Sequence, residues 1–156
     1  DPEKSKYIHS MKGTVEDQRN YIKKIQHQLE NYLFVIEDMS SNVIGMKGLY
    51  HYEPDEASIE SGQFISFGSQ IQSMEALWLS FEFAFYTLRV NKIYMSVLED
   101  NQTMFDIQKK FGAVPCQRRY SASFGCDSID SVLTLKEFRK NESQIKALLD
   151  RFTERC

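Results

Sequence analysis

The chain has 156 residues, of which 42% are hydrophobic and 26% are charged, and its formal net charge is −3. This length and composition predict one soluble globular domain over residues 1–156, with a substantial core. The acidic balance argues against a nucleic-acid binder, because no surplus of basic residues can neutralise phosphates. The sequence shows no apolar run of membrane-spanning length and no signal peptide, so we expect a cytoplasmic protein without membrane contact.

The N-terminal part of the sequence predicts one helix followed by strands. An apolar stripe after a good N-cap residue, Thr14, favours a helix over roughly Val15–Glu30. Runs of β-branched and aromatic residues predict antiparallel strands at Tyr32–Ile36 and Val43–Tyr52, joined by a turn over Asp38–Asn42.

The stretch from Ser58 to Asn101 is the unit around which the chain is organised. It predicts a strand over Ile59–Ile65, a polar loop, a long helix ending near Arg89, and a strand over Lys92–Leu98. A unit of this length suits a parallel strand pair with a crossover helix. The loop then places backbone N–H groups at a helix N-terminus, where a phosphate can bind. Apolar residues cover most of the helix surface, so we expect it to be buried on more than one side.

The C-terminal third predicts two further helices with two strands between them. A short helix covers Asn101–Phe111, and the last helix begins at about Glu142. The strands are expected at Val114–Phe124 and Ile129–Leu135, around a turn over Gly125–Ser128.

This order of elements, with Glu99-Asp100-Asn101 followed about ten residues later by Phe111-Gly112-Ala113, resembles the GNAT acyl-CoA N-acyltransferase superfamily. Within the superfamily, the chain resembles the branch that contains ribosomal-protein N-terminal acetyltransferases and nucleotide-amino-sugar N-acetyltransferases. The segment Asp130–Lys136 is similar to the last strand of that branch. The resemblance implies an α+β fold with a mixed, mostly antiparallel central sheet flanked by helices. The superfamily's first strand precedes its first helix, so we expect that strand to lie upstream of this chain or to be lost from the sheet.

Two departures from the superfamily pattern concern the co-substrate. The phosphate loop of the superfamily usually reads Gln/Arg-x-x-Gly-x-Gly/Ala, whereas the segment Gln70–Glu75 has no glycine and carries Ser73 at one of the two positions. Glycine lets the backbone approach a pyrophosphate closely, so we expect weaker binding. The superfamily's usual Tyr, which protonates the departing thiolate, is replaced by Gln108, which cannot act as an acid.

The resemblance implies acetyl-CoA as the co-substrate, bound by backbone N–H groups and by residues of the following helix. The implied contacts are, in chain order, Ile65, Ser66, Phe67, Gln70, Ile71, Gln72, Ser73, Met74, Asn101, Phe105 and Gln108. The first three would meet the pantetheine arm and the thioester oxygen, and the next five would meet the pyrophosphate. For Asn101 a contact to the pantetheine arm and a helix N-cap are equally compatible with the residue type.

Acyl transfer from a thioester needs a neutral amine, a polarised carbonyl and contact between the two. Glu60 is the best candidate for the base that takes the ammonium proton, against the simpler interpretation of a solvated strand carboxylate. His51 can share that role or be structural. Tyr50, Tyr52 and Tyr120 are candidates for lining the acceptor pocket or replacing the missing acid, and we expect two of the three to be packing residues.

The sequence therefore predicts an acetyl-CoA-dependent N-acetyltransferase that works by direct attack in a ternary complex. The acceptor is a primary amine on a small molecule, such as a nucleotide-linked amino sugar, or on a peptide N-terminus, and homodimerisation is left open. One alternative is a non-catalytic acyl-CoA-binding or regulatory module, and another is an unrelated α+β domain that pairs through a sheet edge. Scattered histidines and cysteines predict no metal site.

Overall fold

The computed structural model describes residues 14–26, 28 and 30–153, and within these residues six strands form one sheet. None of the helices in this part of the chain is long and apolar enough to cross a bilayer. The elements in chain order are α1 (Val15–Gln26), β1 (Tyr32–Glu37), β2 (Val43–Glu53), β3 (Ser58–Ser66), α2 (Gln70–Glu82), β4 (Lys92–Leu98), α3 (Gln102–Phe111), β5 (Val114–Ser121), β6 (Cys126–Thr134) and α4 (Leu135–Thr153).

The sheet has the strand order β1-β2-β3-β4-β6-β5, and every neighbouring pair except β3 and β4 is antiparallel. The mixed, mostly antiparallel α+β fold and the parallel pair with its crossover helix are therefore confirmed. That the superfamily's first strand lies upstream of this chain or is lost from the sheet stays a prediction, because residues 1–13 lie outside the described part of the chain.

Most predicted elements are present, with the largest error at the last helix. It begins at Leu135 and not near Glu142. The Thr134 hydroxyl oxygen accepts a hydrogen bond from the Glu137 N–H at 3.2 Å, which satisfies one of the unpaired donors of the first turn. The polar residues around Phe138 conceal this turn in the sequence, yet Phe138 is fully buried.

The boundaries of three other elements also differ from the prediction. Helix α1 ends at Gln26 rather than at Glu30, which lies in a turn. Strand β5 ends at Ser121 rather than at Phe124, and β6 begins at Cys126 rather than at Ile129, because Ser121 pairs with Cys126. The turn therefore precedes Cys126 rather than including it.

Helix α2 buries one face, and the prediction of burial on more than one side was wrong for Leu79 and Tyr86, which are exposed. The helix continues into a π-helical turn over Phe83–Thr87, closed by the Leu88 N–H donating to the Phe83 carbonyl at 3.0 Å. The wider turn points Phe83 toward the β1 aromatics, with its ring centroid 5.2 Å from that of Phe34.

The core lies between the sheet and helices α2, α3 and α4. The Trp78 and Phe85 rings approach Phe138 of α4, with centroids 4.9 Å and 5.0 Å away, and Phe81 meets Phe111 of α3 edge-on at 5.0 Å. Aromatic pairs of this geometry add stabilisation beyond the apolar area they bury. This packing fixes α2 and α3 against the middle of the sheet.

The parallel pair separates halfway along its length. Strands β3 and β4 are paired from Ser58–Lys92 as far as Ser61–Met95, and their later residues diverge. Beside the point of separation, β2 and β3 each contain a β-bulge with a positive φ, at His51 (50°) and Gln63 (43°). The sheet is therefore open in its middle, between the β1-β2-β3 half and the β4-β6-β5 half.

Candidate active site

A cleft of about 860 Å³ passes through the sheet where β3 and β4 separate. Ile65 and Ser66 line it from β3, Val97 and Leu98 line it from β4, and Gln108 lines it from α3. Its lining includes residues of α1 on one face of the sheet and of α2 and α3 on the other. A ligand in this cleft would lie between the unpaired parts of β3 and β4.

A second cavity, of about 360 Å³, adjoins the cleft on the α1 face of the sheet. Its polar lining includes His51 and Glu60. Three residues, Tyr21, Gly62 and Gln63, line both cavities. Two ligands bound in the two cavities would therefore meet beside Gly62.

The structure brings together two of the predicted catalytic residues. The His51 Nδ1 and Glu60 Oε2 atoms are 3.1 Å apart, and both side chains are more than half exposed. Tyr50 pairs with Glu60 across the strands, so these two residues share a face of the sheet. The bulge at His51 turns the imidazole toward that same face. An imidazole and a carboxylate in contact at a cavity wall can together accept a proton and pass it to water.

A chain of hydrogen bonds lies at the junction of the two cavities. The Tyr50 hydroxyl donates to Gln63 Oε1 at 2.6 Å, and Gln63 Nε2 donates to the Tyr21 hydroxyl oxygen at 2.9 Å. The Tyr50 ring lies against Gly48, where any side chain would collide with it, and beside Gly62. Burial and the neighbouring Tyr21 raise the pKa of Tyr50, so its phenol stays protonated at neutral pH.

The loop before α2 has a capping box. Ser69 Oγ accepts from the Gln72 N–H at 3.2 Å, and Gln72 Oε1 accepts from the Ser69 N–H at 2.8 Å. The Ser73 N–H donates to the Ser69 carbonyl, and the Phe67 N–H donates to the Ile44 carbonyl.

Among the residues predicted to meet the pyrophosphate, the N–H groups of Gln70 and Ile71 have no acceptor within the helix. Met74 is a buried core residue of the same helix. The Ser73 hydroxyl donates to Ser66 Oγ at 2.8 Å, which links the helix to the end of β3.

Helix α3 presents Asn101 and Gln108 to the cleft but not Phe105. The Asn101 side chain accepts from the Met104 N–H at 3.2 Å, so the N-cap interpretation is confirmed, and Asn101 lines the cleft as well. Phe105 instead has the Lys109 ammonium 4.9 Å above its ring centroid. Gln108 is only 7% exposed, and its Oε1 atom has no hydrogen-bond partner among the described residues.

The remaining two tyrosine candidates stand apart from the cavities. Tyr120 is on β5 with a relative exposure of 70%, and it lines neither of the two cavities. The Tyr52 hydroxyl donates to the Leu88 carbonyl at 3.1 Å, and its ring packs against Tyr32. Of the three tyrosines only Tyr50 lines one of the two cavities.

A family profile described as "Acetyltransferase (GNAT) domain" matches residues 1–114, almost three quarters of the chain. The chain belongs to the GNAT acetyltransferase family. No curated protein sequence matches it, but solved structures with the same fold are numerous.

Two of these structures show how far the likeness extends. A spermidine N-acetyltransferase from Vibrio cholerae in complex with CoA and spermine has a TM-score of 0.80 at 17% identity, covering 89% of this chain and 86% of that one. A GCN5-related N-acetyltransferase from Brucella melitensis has a TM-score of 0.78 at 15% identity, covering 94% of this chain and 71% of that one. At such identities the likeness establishes the GNAT fold. The predicted family and its class of reaction, acetyl transfer to an amine, are confirmed by the family match.

No functional prediction was made from the sequence for Lys47 of β2, a charged residue of the cleft. Its side chain is 1% exposed, yet it lines the cleft. The ammonium donates to the Gly48 carbonyl at 2.6 Å, to Ser61 Oγ at 2.8 Å and to the Gly62 carbonyl at 3.0 Å. Burial lowers the pKa of Lys47 from 10.5 to about 7. The only signal in the sequence is its place two residues before Leu49, a core position on the same face of the strand.

Proposed function

We propose that this chain transfers an acetyl group from acetyl-CoA to a primary amine, with both substrates bound at once and the amine attacking the thioester directly. The observation that carries this proposal is the junction of two cavities beside Gly62. The larger one is the cleft between β3 and β4, and the smaller one holds the His51–Glu60 pair. Two adjoining cavities support a ternary complex, in which contact between the reacting groups lowers the barrier.

The lining of the cleft fits the co-substrate. Gln108 Oε1 is a buried acceptor without a partner in the described part of the chain, and such an atom is costly unless a ligand supplies a donor. An amide N–H of the pantetheine arm is such a donor. At the start of α2, the N–H groups of Gln70 and Ile71 and the helix dipole suit the pyrophosphate.

The acceptor binds in the smaller cavity, where Glu60 takes its ammonium proton with His51 as the relay to water. Glu60 Oε2 is already in contact with His51 Nδ1, and the two side chains are exposed enough to exchange protons with solvent. The backbone of Ile65 and Ser66, which line the cleft at the end of β3, polarises the thioester carbonyl in this proposal, whereas the Phe67 N–H already donates to the Ile44 carbonyl.

The charges of the smaller cavity favour an acceptor with one amine. One carboxylate, Glu60, and one ammonium, Lys24, belong to its lining, beside neutral polar groups that include Gln28 and Asn31. A polyamine such as the spermine of the Vibrio cholerae complex carries several positive charges, which this lining does not balance. An amino sugar or a peptide N-terminus, with one ammonium and several hydroxyl or amide groups, suits the lining better.

A calorimetric titration with acetyl-CoA, CoA and 3′-dephospho-CoA tests the co-substrate, and a screen of glucosamine, Ala-Ala-Ala and spermine tests the acceptor. We expect micromolar binding of acetyl-CoA and release of thiol with glucosamine or the peptide. Absence of binding by folded protein would refute the proposal. Faster turnover with spermine than with either monoamine would refute the acceptor class.

A further inference from the structure

Lys47 is a buried ammonium whose hydrogen-bond partners are all uncharged. Two carbonyl oxygens and the Ser61 hydroxyl accept its three hydrogen bonds. Strands β3 and β4 and helices α2 and α3 contribute only uncharged side chains to the cleft around it. Lys47 and Tyr21 are the titratable residues of that lining.

Burying an ammonium without a counter-charge costs free energy, and an apolar side chain of similar length would avoid that cost. The cost appears as the depressed pKa of Lys47, for which burial is the cause. Residues with a strongly shifted pKa in a ligand-sized cleft are often the ones that take part in catalysis. Lys47 is therefore poised to exchange its proton near neutral pH.

The position of Lys47 is complementary to that of the His51–Glu60 pair. Ser61 pairs with Leu49, and Lys47 shares the face of Leu49, so Lys47 and Ser61 lie on the face that packs against α2. Glu60 points to the opposite face, toward α1. A proton acceptor and a proton donor thus lie on opposite faces of the sheet at neighbouring residues of β3, beside the junction of the two cavities.

We infer that Lys47 Nζ, acting through the Ser61 hydroxyl, supplies the proton that the thioester sulfur takes as it leaves. This inference rests on the proposed function. Ser61 Oγ accepts from Lys47, while its own hydroxyl hydrogen has no acceptor among the residues that the structure describes. That hydrogen is available to a sulfur in the cleft.

The step balances in protons and electrons. The C–S bond breaks with its electron pair on sulfur, the sulfur takes the Ser61 hydroxyl proton, and Ser61 takes a proton from Lys47, which becomes neutral. The acceptor ammonium loses one proton before attack and the attacking nitrogen loses a second, both through Glu60 and His51 to water. Lys47 regains its proton from water, so each turnover releases one proton. A thiol pKa of about 8.5 lies above that of Lys47, so the transfer to sulfur is favourable.

The first test compares Lys47→Met with Lys92→Met, which removes an exposed lysine at the start of β4. The substrates are acetyl-CoA and whichever of glucosamine and Ala-Ala-Ala the screen selects. Lys47→Met should lower kcat about 100-fold, since a general acid contributes a factor of at least about 100 to the rate. The KM for acetyl-CoA should stay within a factor of three of the wild-type value. Wild-type kcat should fall as pH rises through 7, and this alkaline limb should be absent in Lys47→Met. Lys92→Met should keep both the rate and the limb.

A second pair of variants tests the relay without removing the charge. Ser61→Ala should lower kcat about tenfold, whereas Ser61→Thr, which keeps a hydroxyl, should restore most of it. Equal rates in the two variants would refute the relay. If the alkaline limb persists in Lys47→Met and is lost in Tyr21→Phe, the acid is Tyr21 and the inference is wrong.

The third test needs no substrate and also applies if Lys47→Met does not fold. In the wild-type protein labelled with ¹³C at lysine Cε, the Lys47 signal should titrate near pH 7, well below the ordinary lysine pKa of about 10.4. A Lys47 midpoint above pH 9 would overturn the inference. Failure of acetyl-CoA to bind would refute the proposed function, whereas transfer with an unaltered Lys47→Met rate would refute only the role of Lys47.

Discussion

Replacing Lys47 by methionine should change the stability of the protein in a pH-dependent way. The pKa of Lys47 is about 7 in the folded chain and 10.5 when the side chain is exposed in the unfolded chain. Between these two values the unfolded chain binds more protons than the folded one. The unfolding free energy of the wild type therefore rises with pH across this window. Below pH 7 both states are protonated, and the full cost of the buried charge is present.

The size of the effect follows from the two pKa values. The slope is at most about 1.4 kcal/mol per pH unit, and it is reached only well above pH 7. Between pH 6 and pH 9 the wild type should gain about 2.5 kcal/mol relative to Lys47→Met, in which no proton is bound at this position. The lost hydrogen bonds to Gly48, Ser61 and Gly62 add an offset that does not change with pH.

Urea unfolding followed by fluorescence measures this difference, because Trp78 is the one tryptophan of the chain and is buried against Phe138. The midpoints and slopes of both proteins should be recorded at half-unit intervals from pH 6 to pH 9. Lys92→Met is the matched control and should differ from the wild type by the same amount at every pH. A difference between Lys47→Met and wild type that is flat across the window would refute the buried, depressed lysine.

Four further changes test other parts of the structure. Gln108→Leu should raise the unfolding free energy by about 1 kcal/mol, because it removes an unpartnered buried acceptor, and should weaken CoA binding about fivefold in calorimetry. Glu60→Gln should lower kcat about 100-fold with the acetyl-CoA affinity unchanged, and an unaltered rate would remove Glu60 from the mechanism. Ser73→Gly should bind CoA more tightly than Ser73→Ala, and equal affinities would count against a pyrophosphate at the start of α2. Phe138→Ala should lower the unfolding free energy by about 3–5 kcal/mol in urea titrations, because the ring is fully buried.

The order of helices and strands was predictable from the sequence because the periodic patterns are strong where the core is. The strand Lys92–Leu98 alternates buried and exposed residues and was predicted with its observed bounds. The start of α4 was missed, because its first turn has only two apolar residues, Leu135 and Phe138, and Leu135 also fits the strand pattern. Local pattern does not reveal a turn whose apolar side chains pack against other elements of the fold.

The candidate site was predictable only in part, because two β-bulges decide its geometry. Glu60 and His51 were named from residue type and strand position. Their contact depends on the positive φ of His51, which turns the imidazole toward the face of Glu60. Gln63 likewise reaches Tyr50 through a bulge of its own. Neither of the two residues with a positive φ is a glycine, so the residue types at His51 and Gln63 do not indicate this backbone conformation.

Two residues of the cleft, Gln108 and Lys47, are unusual in complementary ways. Gln108 occupies the position at which the GNAT pattern usually has an acidic tyrosine, and an amide cannot donate a proton to sulfur. In the same cleft stands Lys47, a cation buried at a cost that packing alone does not justify. Gln108 removes the usual proton donor, but Lys47, with a pKa of about 7, is a second donor, so the cleft keeps the capacity for acid catalysis. The double variant Lys47→Met with Gln108→Tyr should therefore turn over faster than Lys47→Met alone, because the phenol returns a donor to the cleft.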